Sequence, residues 1–277
     1  MSLVKPDIYA ELVREKFEGK VKVANLADNL GYLKNTTVGE TVTFPKWKTI
    51  SDAEDVTKGT AVGVESLEQE VSTATIKMVA PKGVRVFDID NMTALGNAIE
   101  EAASQQATVI ARKLDTDLIE EALTSPLKSA TANAKQIYEQ EMMDALGLYG
   151  DERDVEEFAG IVINSLLLPS FIEMPSFTSV EKTYTKEGNG IISGGLVGYF
   201  LGIPVYLANH GTYDSVAQEC VTFIIKKHSL GFMPKKDIAV ESQRPSGLFA
   251  TDIFSNMVYA VKLIADDGVV VVRKTIA

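Results

Sequence analysis

Residues capable of nucleophilic or metal chemistry are few in this sequence of 277 residues. The two histidines, His210 and His228, lie in the loop-like segments LANHGTY and KKHSLG. Serines and aspartates are numerous enough to complete a Ser–His–Asp triad on paper, but the GxSxG nucleophile elbow is missing from the sequence. The metal-binding spacings HExxH and CxxC are missing as well. We therefore predict no catalytic residue, no metal site and no cofactor.

Three further motifs have structural explanations. The glycines at 188, 190, 194 and 195 do not follow the GxxxxGK[ST] pattern of a phosphate loop, and no helix is predicted after them. Asp266-Asp267-Gly268 is typical of a tight turn between strands rather than of a catalytic carboxylate pair. The single cysteine, Cys220, opens an apolar run, which predicts a small buried side chain and excludes a disulfide within the chain.

The composition limits the classes of partner. The net charge is −11, and no basic stretch is longer than a pair such as 226–227 or 235–236. A protein that grips nucleic acid normally carries a basic patch, so specific nucleic-acid binding is not expected. The negative charge is still compatible with a protein that encloses nucleic acid, because an acidic wall would repel a polyanionic cargo and not trap it on its surface. No run approaches the roughly 18 apolar residues of a membrane span, and the charged N-terminus has no apolar signal core.

A long helix preceded by polar β segments dominates the predicted architecture. The helix is predicted from about 91 to 123, with apolar residues at spacings of three and four and a length of roughly 50 Å. Before it, Val42 and Phe44 alternate with threonines, Pro45 favours a sheet edge, and residues 51–63 are polar and loop-like. The whole segment predicts one long β-hairpin. Because an isolated two-stranded extension is marginal in water, another copy of the chain is expected to cover it.

The remaining elements are shorter. The N-terminal residues predict a helix that either packs on its own domain or reaches a neighbour. Helices are also predicted at 134–148 and 165–172. Residues 253–265 belong to a C-terminal part that is mostly β, although within them the pattern of 254–264 fits helix as well as strand. Strands are predicted at 161–163, 196–202, 203–207, 220–225, 238–240 and 269–273.

Several segments resemble the major capsid proteins of tailed double-stranded DNA phages, which have the Hong Kong 97-type fold. The resemblance lies in the order and spacing of seven segments spread over nearly the whole chain. They are VGETVTFPKWKTI, the distal KGT, TATIKMVAPKGVRVFDID, IVINSLLLPSF, GLVGYFLGIPVYLAN, KKDIAVESQRP and DDGVVVVRK.

The resemblance implies an α+β fold with an N-terminal arm, an extended β-hairpin loop, a long spine helix, and peripheral and axial domains. By position, the expected parts are the arm (1–34), the extended loop (35–88), the peripheral domain with the spine helix (89–129), the axial domain (130–235), and the closing strands, mostly peripheral (236–277).

The resemblance also implies a function. The expected protein is a coat subunit, not an enzyme, that assembles through hexamers and pentamers into an icosahedral shell around a double-stranded DNA genome. A separate scaffolding protein and a portal are expected partners, because some family members carry a long N-terminal scaffolding region and here Met1 opens directly onto the arm. The packaged DNA is expected to lie next to the subunit without being bound specifically. No membrane is expected as a partner, and assembly is expected in the cytoplasm of the bacterial host.

Two alternatives remain at this point. An encapsulin-type compartment shell shares the fold but encloses enzymes, and the arm does not resemble an encapsulin start. A monomeric Ser/His/Asp hydrolase would depend on His210 or His228.

We predict intersubunit contacts on the hairpin and the arm. The lone tryptophan, Trp47, lies on a polar hairpin, so it either anchors a neighbouring subunit or packs on its own domain. Phe44 and Ile50 beside it are expected at the same interface, together with Leu12 and Phe17 of the arm.

Overall fold

The protein has an α+β architecture of four helices and two main sheets in the described part of the chain. The computed structural model describes residues 6–33, 38–47, 50, 55–56, 58–59, 62–89, 98–151, 153–179, 195–245 and 247–276. The helices are α1 (Pro6–Glu18), α2 (Ala98–Ala122), α3 (Glu139–Gly147) and α4 (Leu168–Glu173), with short 3-10 turns at Ala24–Leu26, Val155–Glu157 and Ser165–Leu167.

The strands in chain order are β1 (Asp28–Asn29), β2 (Thr41–Trp47), β3 (Gln69–Thr75), β4 (Lys77–Val79), β5 (Val84–Phe87), β6 (Lys128–Ala130), β7 (Phe158–Ile163), β8 (Phe177–Ser179), β9 (Leu196–Phe200), β10 (Ile203–Leu207), β11 (Tyr213–Asp214), β12 (Glu219–Cys220), β13 (Thr222–Lys226), β14 (Leu230–Gln243), β15 (Ala250–Leu263) and β16 (Val269–Arg273). The segment 254–264, ambiguous by pattern, is therefore strand as far as Leu263.

The first sheet is built on the antiparallel pair β14–β15, each 14 residues long. Its order is β1-β14-β15-β4, and β5 also pairs with β15. The sequence predicted only residues 238–240 of β14. The strand continues through Pro234, which has no backbone N–H to donate to the ladder. The register of the β14–β15 pair shifts between Pro234 and Lys236, and this irregularity accommodates the missing hydrogen bond.

Helix α2 packs its apolar stripe on the first sheet. Ala103, Ala107 and Ile110 are fully buried in one core cluster with Ile253 and Tyr259 of β15. Small side chains let the helix approach the sheet closely. The helix ends one residue before the predicted limit, and its 25 described residues span about 37 Å. The predicted first turn, at residues 90–97, lies outside the described residues.

The second sheet has seven strands in the order β6-β16-β13-β7-β10-β9-β8. Its core cluster includes residues of α3 and α4, and Tyr149 donates a buried hydrogen bond of 2.8 Å to the carbonyl of Ile224. Helix α3 begins five residues later than predicted. The carboxylate of Glu141 accepts the backbone N–H groups of Ala132 (2.6 Å) and Tyr138 (2.8 Å), which holds the preceding segment outside the helix.

The hairpin is shorter than predicted. Strands β2 and β3 pair from Thr41↔Thr75 to Trp47↔Gln69. Beyond Thr75 the chain joins the first sheet, where β4 and β5 both pair with β15. The stretch predicted as the hairpin's return thus belongs mainly to the body of the subunit.

The described part of the N-terminal arm packs on its own subunit, and its contact with a neighbour stays a prediction. Tyr9 and Val13 of α1 are buried in the same core cluster as α2. Strand β1 then adds to the edge of the first sheet, parallel to β14.

Candidate functional site

The two histidines lie on the surface. His210 is exposed, and the His228 side chain is 83% exposed while its Nδ1 contacts the carboxylate of Asp28. This contact joins β1 to the turn before β14. Within the described ranges, no group of three or more His, Cys, Asp or Glu side chains is placed to hold a metal ion. None of the helices described is long and apolar enough to cross a bilayer.

The hairpin has two parts that differ sharply in exposure. Near the body, its inward side chains are covered, and Phe44 has no exposed surface. Farther out, large apolar side chains point into solvent, and Val64 is 99% exposed. We call this outer part the distal hairpin surface, defined by Ile50, Val56, Val62, Val64, Leu67 and Val71.

An apolar surface of this kind is typical of an interaction site. Monomeric proteins rarely expose contiguous apolar patches larger than a few hundred Å². Each of the six aliphatic side chains is at least 60% exposed. Glu65, Glu68 and Glu70 are interleaved with them in the sequence. The arrangement fits docking onto another protein surface.

A buried carboxylate fixes the arm to the helix α2. Oδ1 of Asp115 accepts the backbone N–H groups of Val23 and Ala24, both at 3.0 Å, and Oδ2 accepts that of Lys22 at 3.1 Å. Burial raises the pKa of Asp115 to about 6, although the three backbone hydrogen bonds and the Lys22 charge act in the opposite direction. Lys22 Nζ in turn donates to the carbonyl of Leu207 at 2.8 Å.

A second buried carboxylate connects α2 to both strands that flank it. Asp117 accepts hydrogen bonds from Tyr259 of β15 at 2.7 Å and from Lys113 at 2.7 Å, and Lys77 of β4 lies 3.8 Å away. Burial raises the pKa of Tyr259, and the Asp117 charge adds to this effect. The network ties the end of the hairpin's return to the long helix.

The sequence and the fold were compared with those of known proteins. No protein-family model matches the sequence. A curated relative, the major capsid protein of Staphylococcus phage phiMR11, is 24% identical over 269 residues, covering 97% of this chain and 93% of the relative.

Solved structures agree with that match. The capsid of the empty GTA particle superimposes with a TM-score of 0.66 at 12% identity, covering 93% of this chain and 90% of that one. The capsid of cyanophage P-SCSP1u gives 0.61 at 13% identity, with 93% and 89% covered, and the mature capsid of bacteriophage PhiM1 gives 0.59 at 15%, with 93% and 86% covered. The chain has the fold of a phage capsid subunit.

This capsid fold confirms the α+β class and the resemblance to tailed-phage major capsid proteins that the sequence indicated. The structure shows how the residues expected to bind neighbours lie within their own chain. Leu12 and Phe17 of the arm are partly buried against their own core cluster. Phe44 is fully buried within its own chain, so in this conformation it leaves no surface for a neighbour.

Of the predicted contact residues whose side chains the structure describes, Ile50 is the most exposed, at 62%. Trp47 ends β2 opposite Gln69, and its side chain lies outside the description. Contacts of these residues with a neighbour stay predictions.

Sequence reasoning missed the outer valines and the two buried aspartates. Val62 lies in the stretch predicted as a polar loop (51–63), and no role was predicted for Val64 or Leu67, although all three are exposed. Asp115 and Asp117 interrupt the apolar stripe beside Leu114 and Leu118, where a charged side chain needs a buried partner.

Proposed function

We propose that this chain is the major capsid protein of a tailed bacteriophage, a structural subunit that associates with copies of itself into the icosahedral shell of the virion. The observation that carries this proposal is the match to a major capsid protein across 97% of this chain and 93% of the relative. The match spans the arm, the hairpin, the long helix and both sheets, so the whole subunit is accounted for.

The distal hairpin surface is the proposed contact with the adjacent subunit. It is apolar, and five of its six residues lie beyond the last pair of β2 and β3, Trp47↔Gln69, while Val71 lies within β3. Its exposure is costly in water, and cover from a neighbour removes that cost. Repeated contacts of this heterologous type close into rings, which we propose are hexamers and pentamers.

We assign the parts of the subunit by the same resemblance to phage capsid proteins. Residues 1–34 serve as the arm, and 35–88 contain the extended loop, whose return strand ends at Thr75 before the chain joins the first sheet. The spine helix within 89–129 and the closing strands of 236–277 form most of the peripheral domain, and 130–235 form the axial domain around the capsomer axes.

The further partners are also proposals. A separate scaffolding protein would template the shell and a portal would occupy one vertex, with assembly in the host cytoplasm. The net charge of −11 supports packaged DNA held by enclosure rather than by specific contacts.

Electron microscopy tests the proposal directly. The purified chain would be imaged after expression alone and after expression with its genomic neighbours. We expect closed shells, or rings of five and six subunits. A compact monomer under every condition would contradict the proposal. DNA rather than enzymes inside shells from infected cells would separate a virion from a compartment that encloses enzymes.

A further inference from the structure

The inner part of the hairpin has an apolar side that is completely covered within the subunit. We call it the hairpin base, defined by Val42, Phe44, Ala74 and Ile76, all buried. Its two strands are closed at the body end by hydrogen bonds from Gly39 to Ile76 (3.0 Å) and from Ile76 to Glu40 (2.9 Å). The base is therefore a small ordered unit whose orientation depends on what lies beneath it.

Beneath it lies the first sheet. The hairpin base forms one cluster with Val258 and Ala260 of β15, and Leu33, Met233 and Ile264 pack around its margin. Phe44 is the largest side chain in this cluster.

Gly231 of β14 forms the floor under the Phe44 ring. A Cβ atom at Gly231 would lie 3.0 Å from Cε1 of Phe44 and 2.6 Å from Cδ1 of Ile264. The contact with Ile264 is closer than real Cβ atoms make and that with Phe44 is tighter than most, so a side chain at this position would displace Ile264 and press on the ring. Glycine thus leaves the space that the ring fills.

Charged contacts hold the hairpin base from both strands. On β2, Lys46 contacts the carboxylate of Asp266 in the turn after β15, and its Nζ lies 3.9 Å from Glu70 on β3. On the return, Lys77 lies 3.8 Å from the buried Asp117 of α2. The Phe44 ring and these charged contacts attach the hairpin base to the body at different positions. Together they restrict rotation of the base about the ring.

We propose that Phe44 is a positioning residue for shell assembly: its ring, seated on Gly231, fixes the direction in which the hairpin leaves the subunit. The effect on assembly rests on the proposed function, because the direction of the hairpin matters only when the distal hairpin surface must contact a neighbouring subunit. A tilt of about 10° at the base moves a point about 20 Å farther along, roughly six extended residues, by about 4 Å. A shift of that size would misplace the contact.

Distance measurement between spin labels tests the positioning role in the full chain, kept dilute and unassembled. Labels would be attached at Val64→Cys and Arg112→Cys in a Cys220→Ala background, and the distance distribution measured by pulsed electron paramagnetic resonance. We expect one narrow distribution in this parent and a distribution about twofold wider with Phe44→Ala. An unchanged width with Phe44→Ala would overturn the proposal.

Phe171→Ala is the matched control, because Phe171 is a fully buried ring in the cluster of the second sheet. It should leave the width as in the parent. An equal widening would mean that general loosening of the subunit, and not the seat of Phe44, is responsible, and would overturn the proposal.

Two milder variants cover the case in which Phe44→Ala does not fold. Phe44→Leu keeps part of the volume and should give intermediate widening, while Gly231→Ala should shift the mean distance because the ring is pushed from its seat. Parent values for both would contradict the proposal.

Microscopy of the same unlabelled variants should show fewer closed shells and more irregular ones with Phe44→Ala than with Phe171→Ala. Failure of the parent chain to form shells would count against the proposed function, whereas the distance distributions would still decide the positioning role.

Discussion

The arm and the hairpin both extend from the body of the subunit in sequence, but the structure treats them differently. The arm contributes Tyr9 and Val13 to the main core cluster, its β1 strand joins the first sheet, and Asp115 binds three of its backbone N–H groups. The hairpin is covered only at its base. Its outer part exposes Val64 almost completely.

The comparison shows how to recognise an interaction segment in a single subunit. The arm's apolar side chains and backbone donors are satisfied within the chain, so its removal should affect folding first. The distal hairpin surface is not covered within the subunit, so its alteration should affect association first. Four variants test this distinction, in order of decreasing effect on the free energy of unfolding of the unassembled subunit.

Tyr9→Ala should have the largest effect, a loss of about 4 kcal/mol, because it removes a buried ring from the core cluster. Chemical denaturation followed by circular dichroism measures the loss. Tyr9→Phe is the control, since it keeps the ring and removes only the 3.1 Å hydrogen bond to Gln106, at about 1 kcal/mol. If Tyr9→Ala were as stable as the parent, the arm would not be anchored as described.

Asp115 should make the free energy of unfolding depend on pH. Its pKa is about 6 in the folded chain against an ordinary value of 3.8, so the folded state binds the proton more tightly than the unfolded state. Its contribution to stability is therefore highest below about pH 4 and falls as the pH rises to about 7, by up to about 3 kcal/mol.

Denaturation at several pH values, compared between the parent chain and Asp115→Asn, isolates this contribution. The asparagine variant should lose that part of the slope. A parent contribution that instead grows between pH 4 and pH 7 would show that the hydrogen bonds to the arm outweigh burial.

Lys46→Met should have a small effect on the subunit, about 0.5 kcal/mol, because the ion pairs with Asp266 and Glu70 are partly exposed. The same denaturation assay measures it, with Lys58→Met at the outer turn of the hairpin as the control. A loss of several kcal/mol would mean that charge, and not the apolar cluster, carries the hairpin base.

Val64→Asp should leave the subunit's free energy of unfolding within about 0.5 kcal/mol of the parent, because the side chain is in solvent. Shell yield, measured by sedimentation and microscopy, should nevertheless fall at least about tenfold, since a buried unpaired charge at an interface is strongly unfavourable. Val64→Leu keeps an apolar side chain and should assemble normally. Equal yields from all three chains would remove the distal hairpin surface from the proposed interface.

The fold was predictable where periodicity was strong. The alanine-rich stripe of α2 fixed the end of the long helix to within one residue, and β16 was predicted over its whole length. Strand β15 was ambiguous because its continuous apolar pattern has no period of its own. Strand β14 was cut short in the prediction because Pro234 normally marks an edge or a break, and only the register shift of the folded sheet accommodates it.

The candidate site was less predictable because burial is a property of the folded chain. Phe44 and Ile50 look alike in sequence, six residues apart on a polar hairpin, yet one is fully buried and the other mostly exposed. The difference depends on Gly231, which lies far away in the chain. Likewise, nothing local to Asp115 shows that the backbone of residues 22–24 will surround it.

The place of β16 has a consequence for synthesis. This last strand lies between β6 and β13 and pairs with both, so it occupies an interior position in the second sheet. Until residues 269–273 have left the ribosome, that sheet is divided and its core is open. Chains still being translated, or ended early, therefore cannot present a finished subunit. The second sheet is therefore completed among the last steps of the chain's synthesis.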